Sequence, residues 1–89
     1  MIVLIDTCFE KDTDSIKDKK LLHKIADKIE EIQHSDSLKT VASCKKLTGS
    51  KNAYRIRIGD YRIGFLLEND TVDLIRFLHR SKIYDFFPE

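Results

Sequence analysis

Residues 54–65, with the sequence YRIRIGDYRIGF, carry the clearest structural signal in the chain. Apolar and charged side chains alternate through two runs, and Gly59-Asp60 separates the runs. Alternation with a period of two is typical of strands that bury one face, and a Gly-Asp pair between such runs indicates a tight turn. Residues 68–70 supply a second turn, and the largely apolar residues 72–78 supply a third strand, which is apolar enough to be central. The sequence therefore predicts an antiparallel three-stranded meander.

Upstream of this meander, the pattern changes to that of helices. Residues 9–34 contain no Gly or Pro. A single apolar stripe at helical spacing is formed by Leu21, Leu22, Ile25, Ile29 and Ile32. Asp18 is a plausible N-cap of this helix and residues 35–37 a plausible stop, and we expect a shorter helix at roughly 9–16. The apolar run at residues 2–5 predicts a buried strand.

The order of elements predicts an α+β fold: an N-terminal strand, a two-helix hairpin, then the meander, with the helices on one face of the sheet. With 89 residues, of which 42% are hydrophobic, we expect a single domain over 1–89. No apolar run approaches the roughly 18 residues of a membrane span, and no basic segment indicates a signal peptide, so we expect a cytoplasmic protein without membrane contact. Cys8 and Cys44 lie outside any CxxC pattern, and the histidines lack partners at ligand spacing, so we expect no disulfide, metal or cofactor.

The net charge is only +1, but the arginines are unevenly placed. Residues 1–50 contain nine Lys, no Arg and nine acidic residues, whereas residues 51–89 contain five Arg and two Lys against six acidic residues. Strand alternation predicts that Arg55, Arg57 and Arg62 lie on the face opposite the helices, with Arg80 at the end of the third strand. The position of Arg76 is less clear, since Leu74 and Leu78 share its parity.

Two interpretations of this arginine-rich face remain open. Antiparallel sheets commonly have one solvated, charged face. Alternatively, the face binds RNA, because guanidinium groups contact phosphate and aromatic rings stack on bases. The use of Arg instead of Lys favours RNA, as does an expected convergence of the arginines with Tyr61, His79 and Tyr84. Tyr54 and Tyr61 also suit ordinary packing between alternating strands.

Residues 54–65, followed by HRSKIY at 79–84, resemble the RelE/ParE superfamily of toxins from bacterial and archaeal toxin–antitoxin modules. Lys46-Leu47 before a polar loop also fits. The resemblance covers essentially the whole chain, but it is specific over 46–84 and only architectural over 1–45. It implies a microbial-RNase-like fold and ribosome-dependent cleavage of mRNA by attack of a ribose 2′-hydroxyl on the adjacent phosphate. It also implies neutralisation by a cognate antitoxin in a toxin–antitoxin hetero-oligomer.

The resemblance also implies the site. The family's functional positions match Arg55, Arg57, Arg62, Arg80 and Tyr84. The arginines would stabilise the charge of the transition state, and the Tyr84 ring would stack on a base. Further RNA contacts are predicted for Lys46, Tyr61, Arg76 and Lys82.

This chain departs from the best-known RelE-type site, where a lysine is the proposed base at the position of Arg57. A guanidinium, with a pKa above about 12, is a poor proton acceptor. Either Arg57 only stabilises charge, or another group takes the proton. His79, whose ordinary pKa of about 6.5 suits acid–base work, is the candidate, and a histidine hydrogen-bonded locally at a strand end is an equal interpretation.

Two other functions fit the same resemblance. ParE-type members poison DNA gyrase and cleave no RNA, and an inactive homologue would only bind an antitoxin. Arg80 and Tyr84 favour the endoribonuclease, whereas Arg57 and the low net charge are the features that depart from it.

Overall fold

The computed structural model describes residues 1–88, so Glu89, the last residue of the predicted domain and tail, lies outside the described residues. The strands are β1 (Ile2–Ile5), β2 (Cys44–Lys46), β3 (Ala53–Ile58), β4 (Tyr61–Glu68) and β5 (Thr71–His79). The helices are α1 (Thr7–Asp14), α2 (Lys19–His34) and the short α3 (Ile83–Phe86), with a 3-10 turn at Leu38–Thr40. Within residues 1–88, the strands form one mixed sheet in the order β1-β5-β4-β3-β2.

The predicted architecture is confirmed: an N-terminal strand and two helices precede the antiparallel meander β3-β4-β5. Asp18 caps α2 as expected, since its Oδ1 accepts the backbone N–H groups of Lys20 and Leu21. The first helix begins at Thr7, earlier than predicted, because the Asp6 carboxylate caps it by accepting the N–H of Cys8 at 2.9 Å. Strand β2 and helix α3 lie in stretches where the sequence indicated no regular element.

Strand β1 is an edge strand, and the prediction of a buried strand was wrong. It pairs only with β5, in parallel, because β5 takes β4 as its other neighbour. Ile2, Leu4 and Ile5 are therefore about half exposed, at 58%, 52% and 46%, while Val3 packs against the core. The prediction that the third meander strand is central is confirmed, since β5 lies between β1 and β4 and buries Val72.

Helix α1 covers the part of β5 that β1 leaves unpaired. Strand β1 ends at Ile5, opposite Leu74, although β5 continues to His79. Beyond that point, Asp12 of α1 accepts the backbone N–H of Phe77 at 2.9 Å. A carboxylate thus satisfies a strand-edge donor that a neighbouring strand would otherwise take.

The sheet has apolar packing on both faces. The larger core lies between the sheet and α1 and α2, and it includes Phe9, Ile25, Ile32, Ile56, Ile63, Phe65, Val72, Leu74 and Phe77. The smaller cluster lies on the other face under α3, and its buried members are Ala53, Ile83 and Phe87. Helix α3 thus covers part of the face that is opposite the two longer helices.

Gly64 makes the close packing of Phe87 on the sheet possible. A Cβ atom at Gly64 would lie only 2.5 Å from Cδ2 of Phe87 and 2.7 Å from its Cγ. Any side chain at Gly64 would therefore collide with the ring. The Phe87 ring fills the space above this glycine, and it is itself 2% exposed.

We expect Gly64→Ala to lower the free energy of unfolding by about 1–3 kcal/mol, because overpacking forces a buried ring to move. Urea denaturation would measure the change. In a Phe87→Leu background the same substitution should cost less, since the smaller side chain can yield. Equal costs in the two backgrounds would contradict the proposed contact.

Candidate nucleic-acid interface

Three arginines of β3 and β4 lie on the sheet face opposite α1 and α2. Their neighbours Ile56 and Ile63 are buried in the core on the helix side, so alternation turns Arg55, Arg57 and Arg62 to the other side. Arg57 lies directly opposite Arg62 in the antiparallel register. Like charges at such positions repel each other. The predicted placement of these three residues on one face is confirmed by the register.

Backbone carbonyls hold two of these guanidinium groups in place. Arg55 Nη1 donates to the Ser43 carbonyl at 3.0 Å, and Arg62 Nη1 donates to the carbonyls of Gly59 and Tyr61, each at 2.9 Å. A carbonyl accepts a hydrogen bond without cancelling a full positive charge. The two cations are therefore oriented but not neutralised by these contacts.

Arg80 and Tyr84 extend the cluster beyond the end of β5. The backbone N–H of Arg80 donates to the Asp60 carbonyl at 2.7 Å, which joins this segment to the β3–β4 turn. The Arg80 side chain also lies 3.9 Å from the Asp60 carboxylate, with both groups largely exposed. So exposed a pair contributes little stability and leaves Arg80 able to contact a ligand. Tyr84 is carried by α3 and is 56% exposed.

The pKa of Arg62 responds to the other charged groups of this cluster. It is lowered from its ordinary value, first by partial burial of the guanidinium and then by neighbouring positive charge. The cations responsible are Arg55, Arg57 and Arg80, whereas the Tyr84 phenol acts in the opposite direction. We call the surface formed by Arg55, Arg57, Arg62 and Arg80 the arginine face. A bound anion would relieve the repulsion within it.

Tyr61 and His79 lie on the other side of the sheet, so the predicted convergence of these two residues with the arginines was wrong. Tyr61 stacks on the buried ring of Phe77 at 5.1 Å, and it meets His79 edge-on at 5.5 Å. The Nδ1 atom of His79 accepts the backbone N–H of Ser81 at 3.1 Å. This local bond matches the alternative interpretation of His79. Tyr54 likewise packs, stacked on Phe65 at 5.4 Å.

A β-bulge determines where Arg76 lies. Leu74 pairs with Phe65 and Arg76 pairs with Gly64, so Ile75 is an extra residue in β5. The bulge places Leu74 in the core under the long helices and Leu78 in the cluster under α3. Arg76 shares the side of Gly64, but its guanidinium forms a two-pronged ion pair with Asp12, at 2.7 Å and 3.1 Å.

The two lysines predicted to contact RNA are both exposed but lie in different places. Lys82 immediately precedes α3, two residues after Arg80 of the arginine face. Lys46 is two residues from Cys44, so it lies on the same side of the sheet as that residue, which packs against the helix-side core. It borders a cleft there together with Tyr54 and Leu67. Lys45 instead pairs directly with Arg55, so it is the β2 lysine on the side of the arginine face. The sequence analysis missed it, although alternation from a packed Cys44 is a signal for it.

Cys8 and Cys44 have free thiols, and burial raises the pKa of the Cys44 thiol. Among residues 1–88, no group of three or more His, Cys, Asp or Glu side chains is placed to hold a metal ion. No helix in that part of the chain is both long and apolar enough to cross a membrane.

A family model described as the ParE toxin of the type II toxin–antitoxin system parDE matches residues 3–84. The chain belongs to the RelE/ParE superfamily of toxins. Toxin RelE3 of Methanocaldococcus jannaschii is 51% identical to it over 61 residues, which cover 67% of this chain and 69% of that protein. The predicted family is thereby confirmed.

Solved structures of RelE/ParE proteins agree with this membership. The RelB–RelE antitoxin–toxin complex from Methanococcus jannaschii contains a chain that is 41% identical, with a TM-score of 0.81 over 96% of this chain and 99% of that one. A chain of the archaeal RelE–RelB complex from Pyrococcus horikoshii matches with a TM-score of 0.74 over 92% of this chain and 97% of that one. At 19% identity, this second likeness shows the shared fold alone.

We expect a single-stranded polyanion to bind the arginine face, and Arg62→Gln to weaken that binding. Loss of one phosphate contact should lower the slope of log affinity against log salt by about 0.7 for a single strand. Fluorescence anisotropy of a labelled oligouridylate at a series of salt concentrations measures both quantities. Lys39→Gln, which removes an exposed positive charge on the 3-10 turn, is the matched control. Equal slopes for the two variants would contradict the assignment.

Proposed function

We propose that this protein is the toxin of a type II toxin–antitoxin module and a ribosome-dependent mRNA endonuclease. The observation that carries the proposal is the arginine face with the exposed Tyr84 beside it. Its cations come from two adjacent strands and the segment after β5, and two of them are bonded to carbonyls. RelE3 and the RelE chains of the RelB complexes, which bear the name of the endonuclease branch, support the same function.

The arginine face suits cleavage by an internal nucleophile. The ribose 2′-oxygen attacks the adjacent phosphorus while the bond from phosphorus to the 5′-oxygen breaks, which leaves a 2′,3′-cyclic phosphate and a free 5′-hydroxyl. One proton leaves the 2′-hydroxyl and one is added to the 5′-oxygen. Arg55, Arg62 and Arg80 stabilise the negative charge that develops on the phosphate oxygens. The ring of Tyr84 stacks on a neighbouring base and holds the strand in a reactive geometry.

We assign charge stabilisation, and not proton transfer, to Arg57. A guanidinium holds its proton too tightly to act as a general base near neutral pH. The position of His79 does not favour it as the base either, because its ring lies with Tyr61 on the helix side and its Nδ1 is engaged by Ser81. In this proposal hydroxide takes the proton of the 2′-hydroxyl and water supplies the proton that the 5′-oxygen gains, so hydroxide concentration controls the rate.

A cognate antitoxin is the proposed partner. The related RelE chains were solved in complex with RelB antitoxins. An acidic segment of such a partner would neutralise the repelling charges of the arginine face, and it would thereby block access of RNA to them. Binding to ribosomes places the proposed activity in the cytoplasm.

A second candidate function is poisoning of DNA gyrase, because the matching family model is that of the ParE toxin. A protein with this function would also arrest growth, but it would leave messages intact. An inactive homologue that only binds an antitoxin would do neither. The three functions thus differ in two observables: growth and the integrity of translated messages.

We expect Arg62→Ala, Arg80→Ala and Tyr84→Ala each to slow mRNA cleavage by at least about 100-fold, since each removes a group that acts in the transition state. Primer extension on an abundant message in a reconstituted translation reaction measures the cuts, and the same reaction with translation blocked shows whether they need the ribosome. Lys39→Ala should cleave like the unmodified protein. Growth arrest with intact messages would support the gyrase function instead, and unchanged cleavage by all three variants would show that the arginine face is not the active site.

The pH dependence tests the assignment of the proton. We expect the logarithm of the single-turnover rate to rise steadily with pH from about 6 to 9. His79→Gln should leave this profile unchanged. A plateau above about pH 6.5 that disappears in His79→Gln would identify His79 as the base.

A further inference from the structure

Helix α3 carries Tyr84, but this helix has few internal contacts that would stabilise it. It is four residues long, and its N-cap residue Lys82 makes no side-chain capping bond. Helices this short are not stable on their own. Tyr84 is also 56% exposed, so packing of its own ring contributes little to its position. The orientation of Tyr84 must therefore come from the other side chains of this segment.

Two aromatic residues attach the C-terminal end of α3 to the sheet at different points. Phe87 is buried against Gly64 of β4, as described above. Phe86 instead lies against β5: its ring centroid is 5.1 Å from Cζ of Arg76. A guanidinium over an aromatic ring is attracted to it, and more strongly when the cation is shielded from water. The Arg76 side chain is only 22% exposed.

Asp12 fixes the guanidinium that contacts Phe86. Its Oδ2 accepts Nε of Arg76 at 2.7 Å, and its Oδ1 accepts Nη2 at 3.1 Å. The same Oδ2 accepts the backbone N–H of Phe77, so the carboxylate is itself tied to β5. A two-pronged pair sets the plane of a guanidinium as well as its position. The contacts thus run without a gap from α1, through β5, to α3.

We propose that Arg76 is a positioning residue for Tyr84: clamped by Asp12, it holds Phe86 and thereby sets the orientation of α3 beside the arginine face. This inference rests on the proposed endonuclease function for its effect on cleavage. It replaces the direct RNA contact that the sequence suggested for Arg76, since the engaged guanidinium already uses Nε and Nη2 on Asp12.

Asp12→Asn separates the two roles of Arg76 because they predict opposite signs. If Arg76 contacts RNA, removal of the carboxylate charge makes this site more positive, so RNA binds more tightly and is cleaved faster below saturation. If Arg76 positions Tyr84, the same change loosens the clamp and slows cleavage. The asparagine oxygen can still accept the N–H of Phe77, so the substitution preserves the bond that covers the edge of β5.

The kinetic test compares Asp12→Asn, Arg76→Lys and Phe86→Leu on ribosome-bound mRNA. We expect each to lower kcat by about 10-fold to 100-fold with little change in KM, since a small displacement of a positioning group is costly. Arg76→Lys retains the charge, so a mere phosphate contact would survive it. In a Tyr84→Ala background, Arg76→Lys should cost nothing further; an undiminished cost there would overturn the inference.

Glu31→Gln is the matched control. Glu31 also pairs with a cation, Lys28 at 2.9 Å, and also accepts a backbone N–H, that of Ala42 at 3.0 Å. It joins α2 to the loop before β2, on the sheet face opposite α3. A loss of kcat in Glu31→Gln equal to that in Asp12→Asn would reduce the effect to general destabilisation and overturn the inference.

A second readout is independent of catalysis. The chain contains three tyrosines, so 3-fluorotyrosine labelling gives three ¹⁹F resonances, with that of Tyr84 assigned by its absence in Tyr84→Phe. In Arg76→Lys and Phe86→Leu, we expect the Tyr84 line to shift or broaden and the Tyr54 line, stacked on Phe65, to stay in place. An unmoved Tyr84 line would overturn the positioning role. If the unmodified protein cleaves no mRNA, the endonuclease proposal fails, whereas the ¹⁹F result still decides whether Arg76 positions Tyr84.

Discussion

Much of this fold follows from the antiparallel register of β3 and β4. Ile56 pairs with Ile63, and both are completely buried under the long helices. A shift by one residue would move these side chains to the other face, so burial of the pair fixes the register. The same register places Arg57 opposite Arg62. The core thus determines where the charges lie, although the charges themselves repel.

The stability of the fold and the repulsion in the arginine face are closely linked. Burial of apolar side chains stabilises the hairpin by about 1.5–3 kcal/mol for each large residue, which exceeds the cost of facing cations on a solvated surface. The repulsion is reduced further because Arg55 and Arg62 bond to carbonyls of nearby loops. A cluster of like charges can therefore be maintained without a ligand. Such a cluster is organised before any anion arrives, which is what electrostatic catalysis requires.

Local patterns predicted the parts of the fold in which each element carries its own signal. The alternation in residues 54–65 predicted the hairpin, and the apolar stripe with Asp18 predicted α2. The edge position of β1 could not be predicted, because an apolar run looks the same with one or two neighbours. The packing of Phe87 on Gly64 joins residues far apart in the chain, so no local pattern reports it. The same holds for the arginines. Alternation along the strands predicted the face on which the arginines of β3 and β4 lie, whereas the position of Arg76 depends on the bulge at Ile75, which no local pattern indicates.

For the proposed endonuclease, the near neutrality of the chain affects how it would meet RNA. With a net charge of +1, the chain has little net field at distances beyond the Debye length of about 8–10 Å, and the arginine face would attract phosphate at close range. Electrostatic steering, which accelerates the encounter of strongly basic proteins with nucleic acid, is therefore weak here. A protein with so small a net charge would bind free RNA elsewhere in the cell only weakly. Productive encounters are thus selected by shape and contact at a docking site, and not by long-range attraction.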